Sequence, residues 1–224
     1  LNKKAMIEVT LLSILQGVAE FLPISSSGHL VLGKSLLGMK EMGMRIDIFL
    51  HVGTLLAIFA FYFAIIRRII VNLEWSYVLK IVLSAVPAGV VGLVFMERLG
   101  EAFTAPRMVG ISLIFTGFIL SATRFLPKGL KEVSFGRAFW MGLAQAIAVL
   151  PGGSRSGMTI AAARIARVDS EKAAEFSFLM SAPPIAGAAL LELLKSLKES
   201  GAAETAEVSW GLTIYGCVLA AVVG

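Results

Sequence analysis

Two stretches of this chain set polar and charged groups inside otherwise apolar sequence. The first runs Gln16-Gly-Val-Ala-Glu20-Phe-Leu-Pro23-Ile-Ser25-Ser26-Ser27-Gly28-His29. Gln16 and Glu20 are four apart, so a helix carries both on one face. Ser25, Ser26 and Ser27 supply hydroxyls, and Gly28 lets the N–H groups of a starting helix approach an anion. The second stretch is Pro151-Gly152-Gly153-Ser154-Arg155-Ser156-Gly157, with Thr159 one turn further on. Arg155, between Ser154 and Ser156, is a planar fork of donors that suits phosphate. Two readings stand side by side. Either these groups form a site for acid/base chemistry on an anion, or the serines only cap helices while Glu20 and Arg155 close a structural ion pair.

A weaker constellation is Asp47, His51 and Thr54, at i, i+4 and i+7 on one helical stripe. It reads equally as a site and as a hydrogen-bonded contact between helices. Only His29 and His51 are present, and Cys217 is the one cysteine. A multi-histidine metal site, an internal disulfide and a thiolate cage are therefore excluded.

The elements that must position these groups are membrane helices. Of 224 residues, 57% are hydrophobic and 16% charged, with mean hydropathy +0.85. Soluble chains carry roughly 25% charged residues. Ile48–Ile66, Met108–Thr123 and Phe176–Leu191 carry no charge, and Trp75–Met96 carries only Lys80. About 20 apolar residues cross a bilayer, so these runs predict a polytopic all-α membrane protein. Net charge +5 does not point to nucleic acid, because the Lys and Arg residues lie in short loops between apolar runs. A cleavable signal peptide is not expected, since Glu8, Gln16 and Glu20 interrupt the first run.

The two polar stretches break helices rather than join full spans. Ala5–Leu22 stops at Pro23, and the apolar piece after it, His29–Leu37, has nine residues and cannot cross alone. Residues 138–167 have the same layout, so each unit reads as a re-entrant hairpin. A shift of 129 residues places Gln16 on Gln145, Ala19 on Ala148, Ser25 on Ser154, Ser27 on Ser156 and Gly28 on Gly157. Glu20 then falls on Val149 and Ser26 on Arg155, which divides the halves into an acid/base half and a cationic half. The expected first repeat is 1–128, with hairpin 5–38 and three spans near 46–66, 78–96 and 108–124. The second is 129–224, with hairpin 138–167 and spans near 173–196 and 208–224, a final span being expected beyond it. Pro87, Pro183 and Pro184 should kink spans around the site.

Loop charges orient these units. Arg67 and Arg68, then Arg124, Lys128, Lys131 and Arg137, then Arg164, Arg167 and Lys172, place three loops in the cytoplasm. The 97–107 and 199–207 loops fall outside, as does 34–45 despite Lys34, Lys40 and Arg45 against Glu41. Three spans after the first hairpin invert the second. The two breaks should then meet near the midplane from opposite faces, an architecture familiar in secondary transporters.

LQGVAEFLPISSSGHL and PGGSRSGMT resemble the motifs of the undecaprenyl-pyrophosphate phosphatase family associated with bacitracin resistance. The resemblance implies hydrolysis of the terminal phosphate of a polyprenyl pyrophosphate, with a divalent cation, Mg2+ or Ca2+, to recycle a lipid carrier for envelope glycans. It implicates Glu20, Ser26, His29 and Arg155 as catalytic residues. Ser25, Ser27, Ser154, Arg155, Ser156 and Thr159 would bind substrate, and Glu20 with Gln16 the metal. Gln16 stands where many members carry Glu. A weaker likeness to type 2 phosphatidic acid phosphatases fails, because no histidine follows His51. Expected partners are the lipid substrate and membrane lipid, without nucleic acid; a homodimer is compatible. The expected location is the cell (inner) membrane, with the site opening on the extracytoplasmic side. The nucleophile stays open among Ser26 activated by His29, His29 itself, and water. A polyprenyl-phosphate transporter or flippase is the rival activity, and a purely structural membrane subunit the plainest one.

Overall fold

Helices stop and restart at both polar breaks, and the serines at the breaks are the reason they restart there. The computed structural model describes residues 3–39, 43–95, 106–150, 152–198 and 208–224. Expectations resting on Lys40, Glu41, residues 97–105, Pro151 and residues 199–207 lie outside the described residues. In chain order the helices are α1 (Lys3–Ala19), α2 (Ser26–Leu36), α3 (Gly43–Phe61), α4 (Phe63–Val71), α5 (Trp75–Val94) and α6 (Pro106–Thr123). They continue as α7 (Phe135–Ile147), α8 (Arg155–Ile165), α9 (Ser170–Leu179), α10 (Ala182–Lys198) and α11 (Trp210–Val223). Among the described residues the fold is all-α, with one isolated bridge between Lys131 and Val168.

Among the described residues, three segments are long and apolar enough to cross a membrane: Met44–Phe61, Trp75–Val94 and Ser170–Ser196. Arg107–Thr123 and Trp210–Val223 are shorter apolar helices. Two expected spans differ in detail. The span near 46–66 ends at Phe61, and after Tyr62 the short α4 carries Arg67 and Arg68. The span near 173–196 is divided at Met180 and Ser181 into α9 and α10. Pro183 and Pro184 thereby fall in the first turn of α10, where a missing N–H leaves no bond unmade. Around Pro87, by contrast, α5 continues as one helix.

Large apolar side chains face outward and polar ones face inward. On α1, Ile7, Leu11, Ile14 and Val18 are exposed, whereas Ser13 and Gln16 are fully buried. On α5, Val82, Val86, Val90 and Leu93 are exposed while Ser84 is buried. Water would reverse this pattern; a hydrocarbon solvent selects it.

Two cores flank the site. One packs Val9, Leu12, Leu30, Ile46, Leu50 and Ala220 from α1, α2, α3 and α11. The other is built on Met141, Met158, Phe176 and Met180 with small residues of α7, α8 and α9. Small residues set the helix spacing within them. At Gly53 of α3 a Cβ would stand 2.2 Å from the Cys217 carbonyl of α11, and at Gly142 of α7 one would stand 2.5 Å from the Ser84 carbonyl of α5.

Polar contacts gather the loops at two places. Lys131 and Val168 bridge, Arg164 donates to the Leu126 carbonyl at 3.3 Å, Lys172 pairs with Glu132, and Tyr77 donates to Glu175 at 2.9 Å. These bring the start of α5 together with the basic loops at 124–137 and 164–172. Elsewhere Lys34 pairs with Asp47 at 2.6 Å and Arg45 donates to the Val208 carbonyl. That second group surrounds the start of α3, a helix of 19 residues.

Candidate active site

The site is assembled where the starts of α2 and α8 face each other. Ser25 caps α2, its hydroxyl accepting from the Gly28 N–H at 3.2 Å; Ser154 caps α8, accepting from Gly157 at 3.0 Å. Both helices have 11 residues, and both caps repeat at the offset of 129. The breaks also touch. Ser25 Oγ donates to the Gly153 carbonyl at 3.3 Å and Ser156 Oγ to the Leu22 carbonyl at 3.4 Å. A Cβ on Gly28 would lie 3.0 Å from Gly152 Cα. Gly152 itself has φ +82°, and a Cβ there would meet the Val109 carbonyl at 2.4 Å, so only glycine fits.

Glu20 is the hub. It follows α1 and is only 6% exposed, in a pocket of donors. Ser26 donates to Oε2 at 2.5 Å and Gln16 Nε2 donates to the same oxygen at 3.0 Å. Arg155 pairs with Oε1. His51 Nε2 lies 3.6 Å from Oε2 and 3.4 Å from Ser26 Oγ. The Asp47 carbonyl can only accept, so the 2.8 Å contact to His51 Nδ1 places a proton on Nδ1 and turns Nε2 toward Ser26 and Glu20. Gln16 also reaches Thr54 Oγ1 at 3.3 Å.

Ser26 and Arg155 are the first residues of their helices, ahead of the first intrahelical N–H bonds. Two helix N-termini therefore aim unspent N–H groups at one space, where an anion is favoured. That space is a cavity of about 930 Å³ whose polar head holds Glu20, Ser25, Ser26, Ser27, His51, Ser154, Arg155 and Ser156. Its apolar arm runs between α5 and α10 along Ala88, Gly89, Gly92, Ala188 and Leu191.

Most of the residues singled out in the sequence meet here. Gln16, Glu20, Ser26 and Arg155 are joined by the bonds above, and Ser25, Ser27, Ser154 and Ser156 line the same cavity. Thr159 does not line it. Fully buried, its hydroxyl meets Ser177 Oγ at 2.6 Å and the Arg155 carbonyl at 2.8 Å, while Arg155 donates to the Ser177 carbonyl at 3.1 Å. Thr159 thus braces the arginine. His29 is half-buried on α2, its Nδ1–H donating to the Ser25 carbonyl at 2.7 Å, and it is not among the cavity-lining residues. The imidazole beside Ser26 is His51, the weaker sequence candidate, and the Asp47-His51-Thr54 stripe is its signal.

For a divalent cation, no three His, Cys, Asp or Glu side chains gather among the described residues. The donors on offer are the Glu20 carboxylate and Gln16 Oε1, which is buried without a hydrogen-bond partner among the described residues. Of these only Glu20 lines the cavity; Gln16 is fully buried and turns its Nε2, not its Oε1, to Glu20. A cation there would therefore take Glu20 as its protein ligand, with phosphate oxygens and water completing its shell.

The fold and the site define an integral membrane protein with a buried cluster of serines, Glu20, His51 and Arg155 at the head of an apolar cleft. The chain belongs to the family described as Bacitracin resistance protein BacA, whose model matches residues 9–224. It is 39% identical over 223 residues to an undecaprenyl-diphosphatase of Halothermothrix orenii, covering 97% of this chain and 84% of that protein. An undecaprenyl-diphosphatase of Desulforapulum autotrophicum is 36% identical over 228 residues, covering 91% and 83%. An undecaprenyl-diphosphatase of Desulfatibacillum aliphaticivorans is 39% identical over 212 residues, covering 84% and 77%.

Proposed function

We propose that this protein is an undecaprenyl-diphosphatase, an integral-membrane phosphatase that converts undecaprenyl pyrophosphate to the monophosphate and inorganic phosphate. The observation that carries this reading is the Ser26 hydroxyl held between Glu20 and His51, within one polar head with Arg155. A transporter needs the anion site but no nucleophile with a base beside it.

In this reading Arg155, the N-terminal amides of α2 and α8, and the serine hydroxyls hold the diphosphate, while the prenyl tail lies in the apolar arm. The Ser26 oxygen attacks the terminal phosphorus, and its proton passes to His51 Nε2 or to Glu20. The bond from the terminal phosphorus to the bridging oxygen breaks, the protonated base gives its proton to the departing polyprenyl monophosphate, and phosphoserine remains. Water, deprotonated by the same base, then attacks that phosphorus; inorganic phosphate departs and the proton returns to Ser26. His29, its Nδ1–H committed to the Ser25 carbonyl, is the second candidate for this proton through Nε2. A Mg2+ or Ca2+ held by Glu20, with Gln16 orienting that carboxylate through its Nε2, would supply charge neutralisation to the phosphate.

The same reading places the protein in the cell (inner) membrane as an inverted repeat, with the site opening outside. In its support, the basic loops gather at the start of α5, whereas the cavity is lined by Met44 at the start of α3 and by Leu93 and Lys195 at the ends of α5 and α10. The positive-inside rule puts the basic end in the cytoplasm. Every group named here comes from one copy, so a homodimer is not needed to complete the site. Orthophosphate release from undecaprenyl pyrophosphate by the purified protein tests the reading, and absence of release above a detergent blank overturns it.

A further inference from the structure

We infer that Gln145 of α7 is a diphosphate-binding residue, its side-chain amide donating a hydrogen bond to a phosphate oxygen of the ligand. This rests on the diphosphate reading of the same cavity. Gln145 is 3% exposed and lines the polar head together with Ser154 and Arg155. Its Nε2 and Oε1 both lack a hydrogen-bond partner among the described residues. A buried amide with neither end met is destabilising and calls for a partner.

Comparison with Gln16, its match at the offset of 129, explains why the chain itself supplies none. Gln16 spends its Nε2 on Glu20 at 3.0 Å and on Thr54 at 3.3 Å. At the same offset these two partners become Val149 and Pro183, which have no polar side-chain atom and which line the cavity. The nearby polar groups are committed elsewhere: Ser181 Oγ donates to the Phe178 carbonyl at 2.6 Å, and Arg155 serves Glu20 and the Ser177 carbonyl. One half of the molecule uses its glutamine to position a carboxylate; the other leaves its glutamine amide unmet and closed off beside the head of the cavity. Gln145, Ala148 and Val149 line the cavity from one face of α7 and its end, so a turn of the Gln145 side chain about its own rotatable bonds carries the amide toward a ligand held by Arg155.

The test is calorimetric titration of the full chain in detergent with two non-hydrolysable probes, methylenediphosphonate and farnesyl methylenediphosphonate. Gln145→Met keeps the volume and removes the amide. Its affinity for both probes should fall by about tenfold, the scale of one hydrogen bond to a charged group. Its thermal midpoint should hold or rise, since an unmet amide has been replaced by an apolar side chain. Unchanged affinity in a wild type that binds both probes overturns the inference and leaves the diphosphate reading intact; it would mean that a structural water meets the amide. Loss confined to the farnesyl probe also overturns it, because the contact would then be to the tail. A wild type that binds neither probe overturns the diphosphate reading and this inference with it. If Gln145→Met does not fold, Gln145→Asn, which withdraws the amide by one methylene, is held to the same criteria.

Discussion

Glu20 and Arg155, 135 residues apart, form a buried ion pair that ties the first polar break to the second. The carboxylate side chain is 5% exposed and the guanidinium 18%, so the pair is shielded on the Glu20 side and open to the cavity on the Arg155 side. A diphosphate entering the head of the cavity would compete with Glu20 for the same fork. The pair therefore holds the site in shape and supplies its cation.

Breaking that pair should cost stability as well as activity. Glu20→Leu leaves Arg155 buried without its anion and should lower unfolding free energy by about 3–5 kcal/mol, against a smaller loss in Glu20→Leu/Arg155→Met. Thermal unfolding in detergent checks this. A double variant no more stable than the single one contradicts the coupling.

Arg155→Lys keeps the charge and loses the planar fork. Hydrolysis should show KM raised about tenfold or more, with the fold intact by thermal midpoint. An unchanged KM would remove Arg155 from the binding of phosphate.

Replacing the serine between Glu20 and His51 separates covalent from direct hydrolysis. Ser26→Ala should lower kcat by roughly a thousandfold or more and abolish any trapped phosphoenzyme. His51→Ala should lower kcat by about a hundredfold, the usual scale for a general base. Ser26→Ala with activity within tenfold of wild type would assign the attack to water.

Chain-length preference should change when the apolar arm is narrowed. Gly89 of α5 lines the cavity, and a Cβ there would meet nothing within 4 Å. Gly89→Leu should therefore fold, and should raise KM for undecaprenyl pyrophosphate several-fold more than for farnesyl diphosphate. Equal effects on both lipids would place the tail elsewhere.

Much of this site is legible in the residues alone. Glu20 and Arg155 stand out because charge inside apolar runs is costly, and Ser25 and Ser154 because hydroxyls after a proline break start helices. His51 is legible only as part of a stripe, since nothing local says that α3 packs its middle against the end of α1. Gln145 matches Gln16, but its meaning depends on Val149 and Pro183 lacking the polar atoms that Gln16 uses, which tertiary contacts alone reveal. The break at Met180 and Ser181 reads in sequence as a kink because Pro183 and Pro184 permit a helix start as readily as a bend.

The most direct measurement is orthophosphate release from undecaprenyl pyrophosphate by purified protein in detergent, with Arg155→Ala and Ser26→Ala measured beside the wild type. The wild type should yield one phosphate and one undecaprenyl monophosphate per substrate, and each variant should fall by about a hundredfold or more. Wild-type release no greater than the blank, or undiminished release by both variants, would contradict the proposed function.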